Sequence, residues 1–143
     1  MNKLCALLLV SALLVVAAAA AVSPYDQECN KMIKAAKTAA TKFNKGDKQG
    51  AEAQIAKVRA AFSKAKKMDP KHPQAYLNFA IFCSNTHRYD ESIEAFETAQ
   101  QLLGDTNPQA TQQIQQSMAK AKYEMYSMHR DKTYENGNGN LFE

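Results

Sequence analysis

The sequence has few of the residues that make turns, hold metals or form disulfides. Its 143 residues include only 5 Gly, 4 Pro, 3 Cys and 3 His, and no Trp. A β-sandwich or barrel needs a turn about every 8–12 residues, so this scarcity disfavours both folds. The sequence also lacks a Gly-rich phosphate loop and a Cys/His cluster with metal-ligand spacing. We therefore expect no metal site, no cofactor and no enzyme activity.

Ala, Lys, Gln and Glu, which favour helices, dominate the sequence. The length suits one domain, and apolar residues recur at spacings of three and four in five stretches. These patterns predict an all-α chain with about five helices, within a domain over residues 23–130. The segment 131–143 lacks this periodicity, and we predict a disordered tail there.

The first 21 residues have the pattern of a targeting segment. Lys3 is followed by an uncharged run from Leu4 to Val22, and Ala19–Ala21 supplies small residues before Val22. This order predicts a secretory signal peptide over residues 1–21, and so export to the extracellular space, ER lumen or periplasm. The alternative is an uncleaved signal anchor, because such a run can just span a bilayer. We expect a membrane partner only in that case.

Charge is unevenly distributed along the chain. Residues 23–72 contain 12 Lys+Arg and 5 Asp+Glu, whereas residues 73–143 contain 5 and 9. The simplest interpretation is that these charged side chains form a solvated surface. The basic half could also attract an acidic partner or an anionic membrane.

The segment Gln74–Pro108 carries large and small residues at the spacing of a helical hairpin repeat. The positions are Tyr76, Phe79, Ala80 and Cys83 in one helix, and Tyr89, Ser92, Phe96 and Ala99 in the next. This segment resembles a tetratricopeptide repeat, which has a 34-residue period.

A second, altered repeat precedes it, with both helices lengthened. Its positions are Ala36, Ala39, Ala40, Phe43, Val58, Phe62, Ala65 and Pro70. A fifth helix then covers the exposed edge, as terminal helices of such arrays do. The resemblance implies two antiparallel hairpins and a capping helix, stacked as a short right-handed solenoid.

The resemblance also implies a concave groove lined by the first helix of each pair. The groove candidates are Lys34, Lys37, Thr41, Lys45, Leu77, Asn78, Ile81, Asn85, Gln112 and Gln116. This polar surface, basic at one end, would suit an extended peptide with acidic residues or a free carboxylate. Only Lys37 and Asn78 match the dicarboxylate clamp of chaperone-binding members, so we do not expect a chaperone tail as partner.

Our leading functional hypothesis is a protein-interaction module or small scaffold, with a protein or peptide partner rather than nucleic acid. The alternative is a binder of anionic surfaces, such as lipid, polysaccharide or nucleic acid, through the basic N-terminal hairpin. Its candidates are Lys57, Arg59, Lys64, Lys66 and Lys67. A third hypothesis, an enzyme of unrecognised type, has no catalytic set of residues to support it.

Two further patterns give structural expectations. The acidic stripe Glu91, Glu94 and Glu97 is interpreted as solvated rather than catalytic. Cys29 lies 14 residues before Phe43, which aligns with Cys83 in the repeat register. At about 1.5 Å per residue this is roughly 21 Å, too far for a disulfide. We therefore predict two free thiols.

Overall fold

Residues 22–135 form five α-helices joined by short connections. The computed structural model describes the backbone of residues 22–135 and the side chains of residues 22–130. The helices are α1 (Pro24–Asn44), α2 (Lys48–Met68), α3 (Pro73–Asn85), α4 (Tyr89–Leu103) and α5 (Pro108–Glu135). The prediction of an all-α chain with five helices is confirmed. The predicted signal peptide over residues 1–21 lies outside the described residues.

The helix boundaries follow from local capping chemistry. Ser23 accepts a hydrogen bond from the Asp26 backbone N–H at 3.0 Å, and Pro24 stands at the first position of α1. Asp47 caps α2 in the same way, by accepting from the Gly50 N–H at 2.8 Å. These side chains satisfy backbone donors that have no partner inside the helix.

The helices pack as two antiparallel hairpins followed by a fifth helix. The hairpins are α1 with α2 and α3 with α4; α3 also contacts both helices of the first hairpin, and α5 packs on α4. A single cluster of buried side chains extends from Tyr25 in α1 to Ile114 in α5. Small residues such as Ala80 and Ala99 are fully buried and Phe96 is 3% exposed, so the core predicted for the second hairpin is confirmed.

The predicted alignment of α1 with the repeat positions of α3 is wrong by three helical turns. The Tyr25 hydroxyl accepts from the Ala75 N–H at 2.8 Å and donates to the His72 carbonyl at 3.2 Å, so α1 and α3 begin at the same level. The buried set at the start of α1 is Tyr25, Glu28, Cys29 and Met32, and Ala35 and Ala39 are buried further along the helix. It has the predicted spacing but begins eleven residues earlier, at Tyr25 instead of Ala36. Eleven residues are close to three helical turns, so both sets lie on one face.

The first hairpin is longer than the second, and its extra length lies at the α1–α2 turn. Helices α1 and α2 have 21 residues each, against 13 and 15 for α3 and α4. Phe43, near that turn, is 67% exposed, so its predicted place in the core is wrong. The turn itself uses Gly46 at φ +80°, a backbone conformation that favours glycine.

Helix α5 has 28 residues and continues to Glu135, past the boundary predicted at residue 131. The remaining tail lies outside the described residues. Along α5, Ile114 and Ala121 are buried, whereas Tyr123 and Tyr126 are each 68% exposed. Among the helices described, none is both long enough and apolar enough to cross a bilayer.

Candidate binding surfaces

The two hairpins are joined by a stacked pair of aromatic rings and by an ion pair. Phe62 of α2 stacks on Phe79 of α3, with ring centroids 4.1 Å apart and an interplanar angle of 5°. The guanidinium carbon of Arg59 lies 5.8 Å from the centroid of the Phe79 ring. The same guanidinium donates two hydrogen bonds to the carboxylate of Glu91 in α4, at 2.6 and 2.8 Å. This pair lowers the pKa of Glu91 and raises that of Arg59. Glu91 is therefore an anchor between hairpins, not part of a solvated stripe.

The candidate residues on α3 have different environments. Leu77 is 9% exposed and belongs to the core, so its predicted place on a free groove is wrong. Ile81 is half-buried and packs against the same core, whereas Asn85 is exposed at the end of the helix. Asn78 accepts a hydrogen bond from Gln74 at 2.9 Å through Oδ1. Its Nδ2 is buried and has no hydrogen-bond partner in the part of the chain described.

The candidates on α1 and α5 are exposed side chains. Lys37 projects from α1, and Thr41 donates its hydroxyl to the Lys37 carbonyl at 3.0 Å. Lys45 follows the last residue of α1 and caps it through its backbone N–H. Gln112 and Gln116 are exposed on α5. None of these five contacts the α3 candidates through a described hydrogen bond or ion pair.

Lys34 lies in a groove that the sequence did not predict, between α1 and α2. We call it the basic groove. Its charged rim and its small apolar floor are formed by Lys31, Lys34, Lys57, Lys64, Ala35 and Ala61. Glu28, buried beneath the rim, pairs with Lys31. Four lysines therefore line one surface, with a single carboxylate among them.

The lysines proposed for the anion-binding alternative do not share one face. Lys57 and Lys64 line the basic groove, but Arg59 is paired with Glu91. Lys66 lies over the Phe62 ring, with Nζ 4.6 Å from the ring centroid. The clustering on one exposed face that would favour this alternative is therefore not seen for the whole set. Lys31 and Lys34 take the places of Arg59 and Lys66.

A second groove, of opposite charge, lies between α4 and α5. We call it the acidic groove. Its walls are formed by Asp90, Ile93, Glu94, Glu97, Met125 and Tyr126, with Lys122 as its only described cation. Met125 is half-buried at this groove. The signal that could have found both grooves was the opposite net charge of the two halves of the chain.

The nucleophilic and metal-ligating side chains are dispersed. Cys29 and Cys83 are both buried free thiols, which agrees with the predicted redox state. Burial raises the pKa of Cys83 to about 12 and raises that of Cys29. The predicted separation of about 21 Å between Cys29 and Cys83 along the helix axis is wrong. The contact of Tyr25 with Ala75 places Cys29 near the level of Ala80 in α3. Within residues 22–130, no three His, Cys, Asp or Glu side chains come together as a metal site would require.

Comparison with protein-family models, curated proteins and solved structures finds no match to this chain. The tetratricopeptide resemblance thus depends on the residues quoted for it.

Proposed function

We propose that the chain is a protein-interaction module that binds an extended peptide across the exposed side of α3. The observation that supports this proposal is that the Nδ2 donor of Asn78 is buried and has no hydrogen-bond partner among the described residues. A buried polar group left without a hydrogen bond costs about 1–3 kcal/mol. Asn78 as a residue is only partly buried, so a rotation of its side chain would present this donor to a peptide carbonyl, which would recover that free energy on binding.

The surroundings of Asn78 support an extended peptide over a compact ligand. Gln74 donates to Asn78 Oδ1, so Nδ2 is the part of the carboxamide left for a ligand. Exposed polar side chains also occur on α1 and α5, among them Lys37 and Gln112. In the tetratricopeptide resemblance, an asparagine at the position of Asn78 contributes to the peptide groove.

The test is selection from a random peptide library with free carboxyl termini, displayed against residues 22–143. That segment contains all five helices of the common core. The selected peptides should bind an Asn78→Leu variant at least about tenfold more weakly, the equivalent of 1.4 kcal/mol for one hydrogen bond. The variant should melt no lower than the native protein, because it removes an unsatisfied group.

The matched control is Asn85→Leu, the same exchange at the exposed end of α3. It should weaken binding less than Asn78→Leu. Peptides that bind the Asn78→Leu variant as tightly as the native chain would contradict the proposal, as would a library from which nothing is enriched.

The alternative function, binding of an anionic surface, now depends on the basic groove. Its four lysines, Lys31, Lys34, Lys57 and Lys64, form the exposed cationic cluster that this function needs. It predicts binding to vesicles of anionic lipid that falls steeply with salt and is lost on substitution of Lys57 and Lys64.

A further inference from the structure

The basic and acidic grooves lie at opposite ends of the helical array. The basic groove is formed by the first hairpin alone, and the acidic groove by the last two helices. Helix α5 packs on α4, whereas α1 and α2 pack on each other and on α3. In a stacked helical array each unit contacts only its neighbours, so the two end surfaces are where a further unit would pack.

The two grooves match in charge. The basic groove presents four lysines and one carboxylate, and the acidic groove presents three carboxylates and one lysine. They also match in length. Lys57 and Lys64 are seven residues apart on α2, and Asp90 and Glu97 are seven residues apart on α4. Each row therefore covers two turns, about 10.5 Å, so the rows can lie in register.

Apolar side chains accompany the charges on both surfaces. Tyr126 is 68% exposed beside Met125 and Ile93 in the acidic groove. The basic groove has a floor of small residues, Ala35 and Ala61, over which a ring or thioether could pack. Docking would shield this apolar area from water as well as pair the charges.

We infer that copies of this chain associate head to tail, with the acidic groove of one copy docked in the basic groove of the next. Pairing within one chain is excluded by the placement of the grooves at opposite ends. Because the two surfaces differ, the contact is heterologous and leaves one free groove of each kind. Association therefore continues beyond a dimer, into a ring or an open filament.

A second copy fits both grooves, whereas an anionic lipid or polysaccharide fits only one. Such a ligand would engage the four lysines and leave Glu94, Glu97 and Tyr126 without a partner. The same chain supplies a carboxylate row of equal length, so the complement of the basic groove is present at the concentration of the protein itself.

The experiment is sedimentation velocity of residues 22–143 over a concentration series, at about 20 mM and about 500 mM salt. We expect species larger than a dimer at low salt and high concentration, and mostly monomer at high salt. A Lys57→Gln/Lys64→Gln variant and a Glu94→Gln/Glu97→Gln variant should each be monomeric. Their melting temperatures should stay close to that of the native chain, because all four side chains are exposed.

The decisive step mixes the two variants. The first retains an intact acidic groove and the second an intact basic groove, so the mixture should form a one-to-one complex that does not grow further. The matched control is Lys37→Gln/Lys45→Gln, which removes the same charge from the first hairpin outside the groove and should associate like the native chain.

Three results would overturn the inference. These are a native chain that is monomeric in every condition, a closed symmetric dimer, and variants whose mixture stays monomeric. Vesicles of anionic lipid provide a further arm: binding that depends on Lys57 and Lys64 without self-association assigns the basic groove to the anionic surface instead. Asn78→Leu should leave self-association unchanged, so this inference and the peptide-binding proposal can fail separately.

Discussion

Single side chains fix how the two hairpins meet, and Tyr25 is the clearest case. It is 8% exposed, its ring centroid lies 4.5 Å from that of His72, and its hydroxyl bonds to two backbone groups at the start of α3. Burial raises its pKa well above the ordinary value. The hydroxyl therefore stays protonated and donates to the His72 carbonyl while it accepts from Ala75.

Tyr25→Phe should lower the free energy of unfolding by about 1–2 kcal/mol. The substitution keeps the ring but leaves the buried Ala75 N–H without its acceptor. Urea denaturation followed by circular dichroism would measure the loss. The control is Tyr76→Phe, whose exposed hydroxyl makes only a 3.5 Å bond to the Pro70 carbonyl and should cost less than about 0.5 kcal/mol. Equal losses in the two variants would contradict the anchoring role of Tyr25.

At the scale of helices, the sequence predicts boundaries better than register. Ser23, Asp47, Pro73 and Pro108 each act within one turn of the chain, so their effect can be read from neighbouring residues. The level of α1 against α3 depends on a contact between Tyr25 and Ala75, 50 residues apart. Apolar periodicity gives the buried face of a helix but not its axial position, so an eleven-residue error preserved the face and misplaced Phe43.

The candidate surfaces were missed for the same reason. Lys34 and Lys57 lie on different helices, and only the packing of α1 against α2 brings them to one groove. The residues around Arg59 in the sequence did not indicate that it pairs with Glu91, which lies 32 residues later. The charge difference between the two halves of the chain was visible in the sequence. The sequence did not show that this difference produces two grooves of opposite charge.

The Arg59–Glu91 pair gives a pH-dependent link between the hairpins. Hydrogen bonds from Arg59 lower the pKa of Glu91 below its ordinary 4.5. The ionised carboxylate therefore stabilises the fold above about pH 4.5, and this contribution disappears as the pH falls through the folded-state pKa. Both side chains are over one-third exposed, so solvent screening limits the effect to about 1 kcal/mol or less.

Glu91→Gln should thus destabilise the protein at pH 7 and lose its effect in acid. Urea denaturation across a pH series would measure the difference from the native chain. Glu94→Gln, the same exchange one turn along α4, should show no such pH-dependent difference. A Glu91→Gln penalty that stayed constant down to the acid end would mean that the carboxylate charge is not the stabilising feature.

At the scale of the whole molecule, the buried cluster determines cooperativity. Side chains from all five helices belong to it, with Ile114 as the contribution of α5. A helix that shares the common core unfolds together with it, whereas a helix held only by exposed contacts separates at lower denaturant. The packing therefore predicts one unfolding transition for the two hairpins and the fifth helix.

Ile114→Ala should lower the free energy of unfolding by about 2–4 kcal/mol, because Ile114 is 4% exposed between α5 and the rest of the core. The transition should remain single, with amide signals of α1 and α5 disappearing at the same urea midpoint in NMR spectra. Tyr123→Ala, on the same helix but 68% exposed, should change stability by less than about 0.5 kcal/mol. An α5 that loses its signals before α1 in the native chain would show that the fifth helix is an appendage, and the acidic groove, one wall of which is α5, would then be lost before the hairpins unfold.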